Sequence, residues 1–317
     1  MSKNTPTIGI GACLVGQPVR YNGDSKRQHT HIEKLKEHFA MSSYCPEMAI
    51  GLGVPRETVR LVGELGDIRL SDSSTQSKDY TDPMESYAAE VLAQNSDLDG
   101  YILVKDSPSC GYERVKRYNE KGNVAGRDAT GLFTAALRKL DPLLPMEDEG
   151  RLHDPVLREN FITRVYAYQD WKKLYNSGIS HHKLTTFWAR YKYLVMAHHV
   201  SGYQKIGRLL ANLEKRPLAD VADDFVQLFM ESLALKASKK SHANVLQHLL
   251  GYLKRKLPSA DKQEMSALIE QYRKGVIPLV VPITVMRHHF SHSAQAYIDQ
   301  QVYMQPYPDA LSLRNNI

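Results

Sequence analysis

Cysteine is scarce in this chain: three residues in 317, an odd number, with no Cys-x-x-Cys pair. A disulfide-stapled scaffold is thereby excluded. No apolar run approaches the roughly 18–20 residues of a membrane helix. The opening Met1-Ser2-Lys3-Asn4-Thr5-Pro6 lacks the apolar core of a secretion signal, so a cytoplasmic location is expected. There is no internal repeat, low-complexity tract or heptad register. Hydrophobic residues make up 42% and charged residues 24%, which excludes wholesale disorder. The length leads us to expect two domains, at 1–150 and 151–317.

The net charge of +6 is unevenly spread. Residues 1–160 hold 20 Lys and Arg against 24 Asp and Glu, a net −4; residues 161–317 hold 21 against 11, a net +10. The basic half points to a polyanionic partner, most simply nucleic acid. All three cysteines lie in the acidic half, and nine of the 13 histidines in the basic one.

Short β-rich runs alternate with helical patterns in the first half. Thr7–Leu14, Val59–Val62 and Gly100–Lys105 read as strands; Thr30–Phe39, Pro83–Gln94 and Thr130–Leu140 read as helices. This alternation predicts an α/β domain, Rossmann-like, with a mainly parallel sheet. Asp141–Asp154, with two prolines and Glu147-Asp148-Glu149-Gly150, reads as a linker. Beyond it the periodicity is helical almost to the end, predicting an all-α C-terminal domain. A helix over 245–257 would align Asn244, His248, Tyr252 and Arg255 in one polar stripe, suited to RNA or simply to solvent. His242 falls on its apolar face and reads as a core histidine.

Each cysteine sits in turn-forming sequence after a predicted strand: Cys13 in Gly11-Ala12-Cys13-Leu14-Val15-Gly16, Cys45 in Cys45-Pro46-Glu47, and Cys110 in Ser107-Pro108-Ser109-Cys110-Gly111. Loops at the carboxyl ends of parallel strands build ligand sites, so three such cysteines can converge. Zinc would call for a fourth protein ligand. Three thiolates also suit an iron–sulfur cluster with one iron left open. Glu47 and Ser107 would lie within reach to move or relay protons, although helix and turn capping are the ordinary roles of such residues. Arg114, Lys116 and Arg117 follow the Cys110 turn and can guide a phosphate backbone or form a solvated edge.

These motifs, with Val19-Arg20-Tyr21-Asn22-Gly23 and Gly51-Leu52-Gly53-Val54-Pro55-Arg56, resemble the thiouracil desulfidase family over roughly residues 5–160. The second half resembles a YbgA-like helical domain through Trp188–Lys192, His242–His248, Ile277–Pro282 and Gln305–Pro308. The fusion resembles bacterial desulfidases that act on 4-thiouridine in tRNA. The resemblance implies a 4Fe–4S cluster held by Cys13, Cys45 and Cys110, a catalytic Glu47, and a catalytic serine at Ser107 with Ser109 as the other candidate. It implies tRNA as partner, with no DNA and no membrane. A desulfidase of free thiouracil or thionucleosides, or a non-enzymatic Fe–S module for RNA binding or redox sensing, are the alternatives.

Overall fold

The computed structural model describes residues 5–26, 30–253, 256–292 and 296–317. It divides into two compact units, Met1–His153 and Asp154–Ile317. In chain order the first unit contains β1 (Thr7–Gly11), α1 (Thr30–Lys36), β2 (Ala40–Tyr44), α2 (Pro46–Ala49), β3 (Val59–Glu64) and β4 (Asp67–Asp72). It continues with α3 (Thr81–Gln94), β5 (Leu98–Leu103), β6 (Val115–Tyr118), β7 (Val124–Ala129), α4 (Leu132–Leu140) and β8 (Met146–Asp148).

Four of these strands form a wholly parallel sheet in the order β2-β1-β5-β8. Gly11 lies opposite Tyr44 and Ile10 opposite Ile102, which brings the strand ends level. Every residue of β5 is buried, as expected of a central parallel strand covered on both faces. Phe133 of α4 meets Tyr101 of β5 edge-on at 5.9 Å and Tyr87 of α3 at 5.8 Å, sealing both helices onto the sheet.

A second sheet, β4-β3-β6-β7, is mixed: β3 pairs antiparallel with β4 and parallel with β6, and β6 pairs antiparallel with β7. The sequence pattern foretells little of it, because β7 is largely exposed and offers no apolar run. Arg117, grouped above with the phosphate-guiding cations, is buried in this sheet against Glu64 and Asp128 at 3.0 and 3.1 Å. Its role is to hold strands together.

The acidic stretch read as a linker is also different. Met146–Asp148 is the fourth strand of the parallel sheet, and Glu147, Asp148 and Glu149 are all buried. Two of them are met locally: Arg151 Nε donates to Glu147 at 2.6 Å, and the Arg151 backbone N–H donates to Asp148 at 2.8 Å.

The second unit is helical: α5 (Pro155–Asn176), α6 (His181–His198), α7 (Val200–Leu210), α8 (Leu218–Ala234), α9 (Lys239–Leu253), α10 (Ser259–Arg273), α11 (Val280–Ser291) and α12 (Ala296–Asp299). Asp154 caps α5, accepting from the N–H groups of Val156 and Leu157 at 2.8 and 3.0 Å, with Pro155 at the first helical position. Trp171, Phe187, Tyr191, Phe225 and Phe229 form its aromatic core; Phe187 stacks on Tyr191 at 4.5 Å. No helix among the described residues is long and apolar enough to cross a membrane. Of the predicted polar stripe, Asn244, His248 and Tyr252 are exposed on α9, while Arg255 lies outside the described residues.

Candidate active site

Neighbouring parallel strands deliver their following loops to one edge of the sheet. Here β1 leads into the single turn Ala12–Val15 that carries Cys13, and β2 leads directly into Cys45 at the start of α2. β5 leads into the loop of Ser107, Ser109 and Cys110, and β8 into Glu149. Cys13, Cys45 and Cys110 line one cavity of about 430 Å³, together with Glu47, Arg56, Lys26 and Ser107. The Cys110 loop closes against the start of α4 at a glycine. A Cβ on Gly131 would come within 2.5 Å of the Gly111 nitrogen and 2.6 Å of the Ser109 carbonyl oxygen.

Burial pushes all three thiols up: Cys13 to about 11, Cys45 above its ordinary value, and Cys110 well above it. The groups also feel one another. Negative charge on Glu47, Cys45 and Cys13 raises Cys110 further, and charge on Cys45 raises Cys13. Neighbouring groups at each thiol oppose this. Lys26 favours a Cys13 thiolate, the N–H groups of Met48 and Glu47 favour a Cys45 thiolate, and the Ser107 hydroxyl favours that of Cys110. Among the described residues, no three His, Cys, Asp or Glu side chains are placed to hold a single metal ion.

Glu47 is held from both sides. Its Oε2 accepts from Arg56 Nε at 2.9 Å and Nη2 at 2.6 Å, and its Oε1 accepts from the Ser109 hydroxyl at 2.6 Å. Arg56 is itself anchored, donating to the carbonyls of Gly53 at 2.8 Å and Val19 at 2.9 Å. The two serine candidates therefore stand in different places. Ser107 is on the cavity wall, and its oxygen accepts from the N–H groups of Cys110 at 3.1 Å and Ser109 at 3.3 Å, which shapes the turn. Ser109 is fully buried behind Glu47.

On the Cys13 side, Lys26 forms an ion pair with Glu149, whose other oxygen accepts from the Lys105 N–H at 2.7 Å. Sequence reasoning assigned no role to Arg56, Lys26 or Glu149. Arg56 was visible only within a motif. Lys26 and Glu149 are 123 positions apart and meet only because β8 lies in the sheet.

Residues 8–149 match the 2-thiouracil desulfurase family, and residues 192–308 match the family described as protein of unknown function (DUF1722). The chain thus belongs to the thiouracil desulfidase family through its first unit, fused to a YbgA-like domain. Among solved structures it is similar to the [4Fe–4S]-dependent thiouracil desulfidase TudS, at 30% sequence identity. That match covers 47% of this chain and 94% of TudS, with a TM-score of 0.39. It is also 28% identical over 159 residues to the uncharacterized protein YbgA of Escherichia coli (strain K12), covering 50% of this chain and 94% of YbgA.

Proposed function

We propose that this chain is an iron–sulfur-dependent desulfidase that converts 4-thiouridine in tRNA to uridine in the cytoplasm. One observation carries the reading: all three cysteines meet Glu47 around one cavity, within the region that matches the desulfurase family. The donor set fits a cluster. It is purely thiol and therefore soft, and all three sulfur-bearing residues line one cavity of about 430 Å³. Cys13, Cys45 and Cys110 would hold a 4Fe–4S cluster, the cofactor in the name of TudS. When bound, such a group supplies a soft Lewis-acid iron for a thiocarbonyl sulfur.

The chain's own residues supply the rest. With Oε2 locked by Arg56, Glu47 presents Oε1 to accept a proton from water as the water oxygen adds to C4 of the base. The C–S bond then breaks while the C–O bond becomes a carbonyl. One water is consumed, the sulfur leaves as sulfide, and no electrons are transferred in net. Ser107, on the cavity wall, donates its hydroxyl hydrogen to charge that develops during the addition. The +10 half supports the tRNA part of the reading by offering a sequence-independent grip on phosphates.

The test is anaerobic reconstitution with iron and sulfide, followed by 4-thiouridine-containing tRNA and absorbance at the thiobase band. We expect the band to disappear with the wild-type chain and to persist with Cys13→Ala and Glu47→Ala. Turnover of free thiouracil but never of tRNA would sink the tRNA part. A well-formed cluster with no turnover on any thiolated substrate would leave a non-enzymatic Fe–S module.

A further inference from the structure

The second unit carries an aromatic cluster outside its core. Tyr193 of α6 and Tyr252 of α9 share a hydroxyl–hydroxyl hydrogen bond of 2.9 Å. Tyr252 faces Tyr297 of α12 with ring centroids 5.9 Å apart and planes 37° apart. The Lys192 Nζ lies 5.1 Å from the ring centres of both Tyr193 and Tyr297. Trp188 and Tyr203 extend the group, 5.6 Å apart. Tyr193 is buried, whereas Tyr252 and Tyr297 are 38% and 36% exposed.

Adjacent exposed rings around a cation are an unusual use of surface, because burying them would gain free energy. Two features indicate what covers them. The rings are tyrosines gathered on a lysine rather than aliphatic side chains, which suits a flat polar ring beside an anion more than an apolar helix face. The half that bears them has a net charge of +10. On α9 the same exposed line continues from Tyr252 through His248 to Asn244, in steps of about 6 Å along the axis, so polar side chains flank the rings on one side.

The geometry points to a stacking platform on the second unit for an unpaired base of RNA: Tyr252 and Tyr297 offer ring faces to the base, and Lys192 meets an adjoining phosphate. This assignment rests on the tRNA reading above and adds the surface through which the partner is held. It differs from the general phosphate grip because stacking is insensitive to salt, while phosphate contacts are not.

The experiment uses the full chain and thiolated tRNA, with binding followed by fluorescence anisotropy across a salt series. Tyr252→Ala and Tyr297→Ala should each weaken binding about 5- to 100-fold at fixed salt, the range for loss of one stacked base, with the salt slope unchanged. Tyr252→Phe keeps the ring face and should bind within about 2-fold of wild type. Lys192→Gln should lower the salt slope by about one. Turnover of free thiouracil, which does not need the platform, should be unchanged in all four. Wild-type binding with both alanine variants equally tight would overturn the platform and leave the tRNA reading standing. A wild-type chain that binds no RNA at any salt would overturn both. Alanine variants that keep RNA affinity but lose self-association or a protein partner would assign the patch to protein contacts instead. Should an alanine variant fail to fold, Lys192→Gln with an unchanged salt slope would still refute the assignment.

Discussion

Arg56→Ala tests the reading of the site most directly. The wild-type guanidinium is 5% exposed and makes five hydrogen bonds, two to Glu47, one each to the Gly53 and Val19 carbonyls, and a longer one to the Met48 sulfur at 3.6 Å. Truncation strands a carboxylate and two carbonyls at once. Breaking a buried ion pair by removing one partner costs about 3–5 kcal/mol. Glu47 is 16% exposed and borders the cavity, so water can rehydrate it in part and the low end of that range applies. About 3 kcal/mol in a unit of this size corresponds to roughly 6–12 °C in melting temperature. Calorimetry on the full chain should show the first unit's transition falling by that amount while the second unit's stays in place. The stranded carboxylate supplies a further check. Glu47→Gln combined with Arg56→Ala should recover about 1–2 kcal/mol relative to Arg56→Ala alone, because the uncompensated charge is gone. An Arg56→Ala chain that melts within about 1 °C of wild type, or a double variant no more stable than the single one, would refute the argument that Arg56 exists to hold Glu47.

The other predictions concern separate parts of the molecule. Ser107→Ala and Ser109→Ala should each lower thermal stability by about 1–3 kcal/mol, the first by stranding the Cys110 and Ser109 N–H groups and the second by removing a buried donor to Glu47, while Ser107→Ala in addition lowers kcat with KM nearly unchanged. Glu149→Ala leaves Lys26 without its partner and the Lys105 N–H without its acceptor, so a loss of about 1.5–3 kcal/mol is expected in urea melts of the first unit. In the second unit, burial holds His198 and His242 below the ordinary histidine range. Arg314 deepens the effect at both; Arg164 adds to it at His198 and His198 adds to it at His242, while Glu159 and the Leu235 carbonyl work against it at His198. The unfolded chain therefore binds more protons, so this contribution to stability is present above about pH 6.5 and is lost as pH falls below it. The second unit should melt lower at pH 5 than at pH 7.5, and an equal melting temperature at the two values would count against both histidines being buried neutral.

The two central strands of the parallel sheet, β1 and β5, were readable because they are buried: Ile8, Ile10, Ile102 and Leu103 leave an unbroken apolar signal, whereas the half-buried β2 leaves none. Convergence of the cysteines was readable for a related reason, since turn residues after such strands mark the sheet's carboxyl edge. The helical second half announced itself through periodicity, and His242 is indeed buried, with Nδ1 3.0 Å from the Tyr303 hydroxyl. What escaped depends on long-range pairing. An acidic run next to prolines looks like a linker until Arg151 and Lys26 are seen to meet it. Arg117 looks like a surface cation until Glu64 and Asp128 close on it. The second sheet escaped because β7 faces solvent along most of its length. The division of labour between Ser107 and Ser109 rests on which way a five-residue loop turns, and spacing alone does not determine that.

The level ends of β2, β1 and β5 also constrain the order in which the molecule is made. Cys13 follows the first strand and Cys110 the fifth, yet the two strands are immediate neighbours. No nascent chain that stops short of Cys110 can present the three thiols together, and β8 with Glu149 joins the sheet later still. Pairings this distant in sequence form slowly and pass through states with open strand edges. Assembly of the site is therefore a step taken by a finished domain rather than by an emerging one.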